Sequence, residues 1–233
     1  MQRITGCFFL VCLALSGIGF GEEQIPALTV TGEARLDVSP DQAVIQLGVV
    51  HQATNAASAQ SQVNSVSSEI ISALRTLGVP ETSIQTSQLS LRPVYRTRPQ
   101  VSEPPSIVGY EASYQLSVSI DDLQRVGKIV DAALQAGSNQ LLGIQFALKD
   151  EAPARQKALQ EAVAQAQNKA VAIAAASGVH LVRILEIQES TSFNHPVPML
   201  RMSAMQATAE TPVQPGQVEI TASVTLRYQI GEK

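Results

Sequence analysis

The stretch from residue 218 to residue 230 reads Val-Glu-Ile-Thr-Ala-Ser-Val-Thr-Leu-Arg-Tyr-Gln-Ile, with an apolar side chain at every even-numbered position and a polar one between. Successive side chains of a β-strand point to opposite faces of the sheet, so this period of two predicts a strand with one buried face. The same pattern recurs over residues 28–38 and 110–120. Strands covered on one face belong to antiparallel or mixed sheets and not to a doubly wound parallel sheet.

Three other segments have apolar or small residues at helical spacing, namely residues 59–77, 123–134 and 159–177. This spacing predicts three helices that each bury one face. Alanines along the third helix are expected to let it lie close to its sheet. Each helix is followed by a glycine, namely Gly78, Gly137 and Gly178. Glycine readily adopts the left-handed backbone conformation that often ends a helix, whereas other residues disfavour it.

The order of elements places the chain in the α+β class. Further strands are predicted at residues 43–50, 84–95, 141–149 and 181–189, which gives the order ββαβ followed by βαβαββ. We therefore predict a two-layer architecture, with one or more antiparallel or mixed sheets and three helices on one face. One continuous sheet and two smaller α+β subdomains, at about 27–105 and 106–230, both satisfy this order.

The first 21 residues have the layout of a signal peptide. Arg3 precedes a run without charged residues from Ile4 to Phe20, and Gly19 and Gly21 supply small residues before a cleavage site at Glu22. A membrane anchor is the alternative, but the run is short for a span of about 20 apolar residues. Lipidation at Cys7 is a further alternative, and it lacks a preceding hydrophobic stretch. We expect cleavage and export, which leaves residues 22–233 as the mature domain.

Charge and cysteine content exclude several classes of protein. Both cysteines of the chain lie within residues 1–21, so the remainder has no thiol for disulfides, redox chemistry or metal ligation. The formal net charge of −4 argues against binding of nucleic acid or an anionic membrane through bulk charge. No segment after the signal peptide is apolar for long enough to span a bilayer.

Several segments resemble the SIMPL-domain family in their order and spacing. The matching segments are 30–34, 40–43, 77–79, 84–86, 93–95, 109–113, 122–123, 127–131, 169–170 and 215–216, together with Phe146 and the last strand. The resemblance covers residues 27–230. It implies an α+β fold, a Gram-negative periplasm, ring-like homo-oligomers and a part in envelope or oxidative-stress tolerance. It supplies no catalytic residue.

One segment has residues suited to a soft metal. Residues 195–205 contain three of the four methionines beside a histidine, and thioether and imidazole groups together can hold Cu(I). The candidate ligands are His195, Met199, Met202 and Met205. The alternative is that these methionines pack in a subunit contact or react with oxidants.

The remaining chemically active residues have simpler interpretations. His51 and His180 lie outside any metal-ligand spacing, and we interpret both as surface or junction residues. The cluster of Arg92, Tyr95, Arg96 and Arg98 is either an anion-recognition patch or the solvated tip of a hairpin.

The sequence therefore favours a non-catalytic periplasmic protein without a cofactor, whose partner is a second copy of itself. A copper-binding or small-ligand-binding protein that uses residues 195–205 is the main alternative. A third is an enzyme whose active site forms only between subunits.

Overall fold

The structure is a computed structural model, and it describes residues 25–96, 106–190 and 211–232. Within these residues the chain forms seven strands and three α-helices. The strands are β1 (Ala27–Val38), β2 (Gln42–Ala53), β3 (Ile84–Tyr95), β4 (Ile107–Ile120), β5 (Gln140–Ala147), β6 (Val179–Ser190) and β7 (Val218–Glu232). The helices are α1 (Ala56–Thr76), α2 (Val126–Gln135) and α3 (Ala152–Ala176).

The strands form two antiparallel sheets. One has three strands in the order β1-β7-β6, and the other has four in the order β3-β4-β2-β5. The predicted α+β class and the order of elements are confirmed. Each sheet contains strands from both sides of residue 105, so the strands are not grouped as in the proposed division at that residue. The short connection 39–41 leads from one sheet to the other, where the backbone N–H of Asp41 donates to the carbonyl of Ala147 at 3.2 Å.

The four-stranded sheet buries one face under α1 and α2. Its strands contribute alternating apolar residues, including Ile45, Leu47, Leu116 and Val118, which are at most 1% exposed. The alternation was predicted for Leu116 and Val118. The helices contribute a stripe at helical spacing: Ala59, Val63, Ile70, Leu74, Val126, Ile129, Val130 and Ala133. Burial of this apolar surface is the main contribution to the stability of the unit.

The three-stranded sheet packs against α3 over a separate core. The face of α3 toward the sheet is a stripe of five alanines spaced four apart: Ala158, Ala162, Ala166, Ala170 and Ala174. A Cβ atom built on Gly32 of β1 would lie 2.0 Å from the carbonyl oxygen of Ala162 and 2.6 Å from the backbone nitrogen of Ala166. Helix and sheet are therefore in direct backbone contact, as the alanines predicted.

The ends of the helices follow the predicted signals. The backbone φ angles of Gly78, Gly137 and Gly178 are +77°, +99° and +72°, in the left-handed region. The carboxylate of Asp122 accepts from the backbone N–H of Gln124 at 3.1 Å and caps the short turn that leads into α2. The entry to α1 was not predicted: the side chain of Asn55 accepts from the backbone N–H of Ser58 at 2.8 Å.

Residues 211–217 connect the two units. The Asp131 carboxylate of α2 accepts hydrogen bonds from the hydroxyl of Thr211 at 2.6 Å and from its backbone N–H at 3.3 Å. A Cβ at Gly127 would lie 2.5 Å from the carbonyl oxygen of Thr211, so only glycine leaves room for this approach. Val213 then packs against the core of the four-stranded sheet before the chain enters β7.

Candidate interaction surfaces

An edge strand leaves a row of backbone N–H and C=O groups unpaired, which makes it a template for another strand. Within the described ranges the two sheets have four edge strands, namely β1 and β6 in one sheet and β3 and β5 in the other. The surroundings of these four edges differ, and the differences separate closed edges from open ones.

The edge of β1 is closed by side chains of α3. The ammonium group of Lys169 donates to the carbonyl of Thr31 at 2.5 Å. The side-chain oxygen of Gln165 accepts from the backbone N–H of Glu33 at 2.7 Å. Because these groups take the positions that a neighbouring strand would occupy, β1 is protected along its central part.

The edge at β5 is short and irregular. β5 has eight residues and is bulged opposite Gln46 and Leu47 of β2. Just before the first residue of β5, the side chain of Asn139 accepts from the backbone N–H of Val50 and donates to the carbonyl of Val50, both at 2.8 Å. One amide thus substitutes for a paired residue where the strand stops. Bulges and short strands are common devices against edge-to-edge association.

In the part of the chain that the structure describes, no strand covers the edge of β3, and the hydrogen-bonding pattern identifies the residues that face it. Neighbouring residues of a strand direct their backbone groups to opposite sides. The backbone groups of Val50 in β2 bond to Asn139 and so point away from β4. The backbone groups of Val49, which lies opposite Tyr114, therefore point toward β4. The backbone groups of the odd-numbered residues of β4 must then point to β3, where these residues pair with Ser90 and Arg92.

This alternation leaves Leu89, Leu91 and Pro93 directed to the open edge of β3. Proline in a sheet is confined mainly to edges, strand starts and bulges, because it has no N–H to donate. The side chains of Leu89 and Leu91 are 57% and 46% exposed. They lie opposite Tyr114 and Ala112, so they are on the helix-bearing face of the sheet but beyond the cover of the helices.

Among the described residues the edge of β6 is also open, although its pairing with β7 is irregular between Leu181 and Arg183 and between Ile184 and Glu186. The backbone carbonyl of Thr31 in β1 faces Lys169, so the backbone groups of Val30 point toward β7, where Val30 is paired with Leu226. The odd-numbered residues of β7 must then point to β6, which leaves Ile184 and Ile187 directed outward.

The two isoleucines of β6 are also uncovered. Ile184 and Ile187 are 41% and 61% exposed, and they lie opposite the core residues Tyr228 and Leu226. They are therefore on the helix-bearing face of the three-stranded sheet, where α3 packs mainly on β1 and β7. Clustered apolar residues beside an unpaired backbone are typical of contact surfaces.

The predicted arginine cluster is divided by the structure. Arg92 donates through its Nε to the carboxylate of Glu111 at 2.9 Å, across the pair β3 and β4. Hydrogen bonds from Gln52 and then from Arg92 hold the pKa of the Glu111 carboxyl below its usual range. Arg96 is exposed, and Arg98 lies outside the described residues. Arg92 thus joins strands, which favours the hairpin interpretation at this residue.

Other ionisable groups with a perturbed pKa also form a surface pair. Lys149 donates to Asp121 at 2.6 Å, which lowers the pKa of the Asp121 carboxyl. A second hydrogen bond, from Gln42, acts in the same direction. The same contact with Asp121 raises the pKa of the Lys149 ammonium group. Both groups are solvated, so the pair joins neighbouring loops and does not form an acid–base couple in a cleft.

The predicted metal ligands are not among the residues that can be described. His195, Met199, Met202 and Met205 all lie in the range 191–210, and copper binding there stays a prediction. In the parts of the chain that the structure describes, no three His, Cys, Asp or Glu side chains come together as a metal site. His51 is exposed in β2, and His180 lies against Gly231 at the start of β6.

A polar hollow of about 660 Å³ lies beside the closed edge of β1. It is lined by Thr31, Glu33, Arg35, Gln165, Lys169 and hydroxyl-bearing residues of β7. Lys169 and Gln165 already bond the backbone of β1, and Arg35 pairs with Glu219 at 3.3 Å. Its cationic groups are thus engaged within the protein.

Sequence reasoning identified the strands but missed which of them form open edges. One signal was available in the segment 84–95. Leu89, Leu91 and Pro93 alternate with polar residues, and a proline inside a strand pattern indicates an edge. For β6 no comparable signal exists, because its position follows from the pairing of β7 with β1.

The fold consists of two α+β units, each built on one sheet, and its exposed features are strand edges. The sequence model of SIMPL, described as a protein of unknown function (DUF541), matches residues 28–228. Since the match covers most of the chain, the protein belongs to the SIMPL family.

Individual relatives agree with this assignment. The chain is 30% identical over 211 residues to the 26 kDa periplasmic immunogenic protein of Brucella melitensis, which covers 87% of this chain and 84% of that protein. It is 25% identical over 232 residues to the uncharacterized protein YggE of Escherichia coli K12, with 94% and 90% covered. YggE of Edwardsiella ictaluri is 27% identical over 184 residues, with 79% and 76% covered.

The compartment follows from the same comparison. The Brucella relatives are named as periplasmic proteins and match over most of their length, so this protein is assigned to the periplasm. Within residues 25–96, 106–190 and 211–232, none of the helices combines the length and apolar character that a bilayer span requires.

Proposed function

We propose that this protein is a non-catalytic periplasmic protein that works as a homo-oligomer. The observation that carries the proposal is the pair of edges, β3 and β6, that no strand of the described residues covers, each with exposed apolar side chains. Such edges are normally blocked in monomers, as β1 is here by Lys169 and Gln165. A second copy of the chain is the partner that covers them.

The proposed cellular role is support of the cell envelope and of tolerance to oxidative stress. It rests on the family resemblance and on the periplasmic compartment. In this proposal residues 1–21 act as a signal peptide and residues 22–233 form the mature SIMPL domain. Mass spectrometry of periplasmic protein should then give a chain that begins within two residues of Glu22. A lipid-modified or unprocessed chain would contradict the processing step.

Light scattering of protein purified from the periplasm tests the assembly. We expect a mass that is a multiple of the mature monomer mass and that does not change over a wide concentration range. A monomer at all concentrations would refute the proposed oligomer. The cellular role is tested by survival of a deletion strain in peroxide, with the chain restored from a plasmid as control. Survival equal to the parent strain would remove the role in stress tolerance.

A further inference from the structure

We propose that copies of this protein join through β6 of one copy and β3 of the next, which makes one continuous antiparallel sheet across the contact. This inference rests on the proposed homo-oligomer and deepens it by naming the contact. Three observations support it: the two open edges belong to different sheets, their apolar side chains lie on equivalent faces, and their charges are opposite.

The backbone groups fit the contact. Leu89 and Leu91 of β3 direct their N–H and C=O groups outward, and so does Ile187 of β6. If these residues face each other across the contact, each strand supplies the donors and acceptors that the other lacks. β1 and β5 are poorer partners, because side chains of α3 close the first and the second has only eight residues; β3 and β6 are longer, although each also has two irregularities in its pairing.

The side chains fit as well. Leu89 and Leu91 lie on the face that α1 and α2 cover in their sheet, and Ile184 and Ile187 lie on the face that α3 covers in theirs. Pairing of the two edges therefore places all four side chains on one side of the joined sheet. Directly opposed residues of antiparallel strands have Cβ atoms about 4.5–5.5 Å apart, so the four would form one apolar cluster.

The formal charges of the strands agree with the unlike pairing. β6 carries Glu186 and Glu189 with Arg183, whereas β3 and the residue after it carry Arg92 and Arg96 and no carboxylate. Within the chain, Glu186 also pairs with Arg227 at 3.8 Å and Arg92 with Glu111. Pairing β3 with a second β3 places arginines near arginines, and opposite charges across neighbouring strands are preferred. The contact is thus between unlike surfaces, and every copy retains one open β3 and one open β6. Such head-to-tail contacts repeat until a ring closes or a filament grows.

Disulfide crosslinking tests the contact, since the chain has no cysteine after Cys12. A double variant with Leu89→Cys and Ile187→Cys is purified from the periplasm and oxidised, together with each single variant. We expect covalent species at multiples of the monomer mass from the double variant only, and their loss on reduction. Mass spectrometry of peptides should locate the bond between positions 89 and 187. Cysteine pairs that use Leu91 or Ile184 in place of these positions test the neighbouring registers of the strand pair.

The control uses an apolar side chain of similar exposure on another edge. Leu142 on β5 is 48% exposed, so a variant with Leu142→Cys and Ile187→Cys should give no such ladder. Covalent dimers from a single variant would show pairing of like edges and overturn the inference. So would the lack of a ladder in every register, although an oligomer by light scattering would then leave the proposed function standing. A monomeric wild-type protein would refute both.

Discussion

Replacement of Gly32 by alanine is the sharpest test of the packing between α3 and its sheet. The new Cβ would lie 2.0 Å from the carbonyl oxygen of Ala162, 2.6 Å from the nitrogen of Ala166 and 2.9 Å from its Cβ. Non-bonded carbon atoms prefer separations of about 3.5–4.0 Å. The two nearest atoms belong to the helix backbone, so no side-chain rotation relieves the contact and α3 must move outward.

The cost of this movement in free energy of unfolding can be estimated. Overpacking of a well-packed core costs about 1–3 kcal/mol and occasionally more. We expect Gly32→Ala to reach the upper end or exceed it, because movement of α3 also opens the contacts of the alanine stripe. Removal of the Ala166 Cβ by an added Ala166→Gly change should not restore stability, since the closer contacts are to backbone atoms.

Urea unfolding followed by far-ultraviolet circular dichroism measures the effect, since the chain has no tryptophan. The midpoint should fall while the slope with denaturant stays constant. Gly216→Ala is the control, because no atom lies within 4 Å of its added Cβ and its backbone is outside the left-handed region. If the two variants unfold at the same urea concentration, the close contact between β1 and α3 is wrong.

Three further predictions concern the core, the β3–β4 pair and the methionines. Leu226→Ala should cost about 2–5 kcal/mol by urea unfolding, whereas Thr225→Ala should cost about 1 kcal/mol because it loses one partly buried hydrogen bond; equal costs would contradict the assigned faces. NMR titration should give the Glu111 carboxyl a pKa below the usual range of glutamate, and Arg92→Gln should raise this pKa. The stabilising effect of the carboxylate is then present above the unfolded pKa and is lost as the pH falls through the folded pKa. Leucine at the three methionines of residues 195–205 should change stability by less than about 1.5 kcal/mol; tight Cu(I) binding that these changes abolish would establish a metal site instead.

The elements were predictable because their signals are local. The alternation over residues 218–230 identifies a strand wherever that strand pairs, and Gly78 marks the end of a helix through its own backbone preference. The division into two sheets was not predictable, because nothing local indicates that β1 pairs with β7. The open edges follow from that pairing. Only Pro93 gave an independent indication of an edge.

The pairing of the first strand with the last has a consequence for the order of folding. The hydroxyls of Thr31 and Thr225 are 3.0 Å apart across β1 and β7, although 194 positions separate them in the chain. The strands of the four-stranded sheet, with α1 and α2, all lie between residues 42 and 147. That unit can collapse before β7 is available for pairing. The three-stranded sheet cannot form until β7 has emerged, and contacts so distant in sequence are slow to form. We therefore expect β1, although it is the first strand to arrive, to be among the last to become ordered.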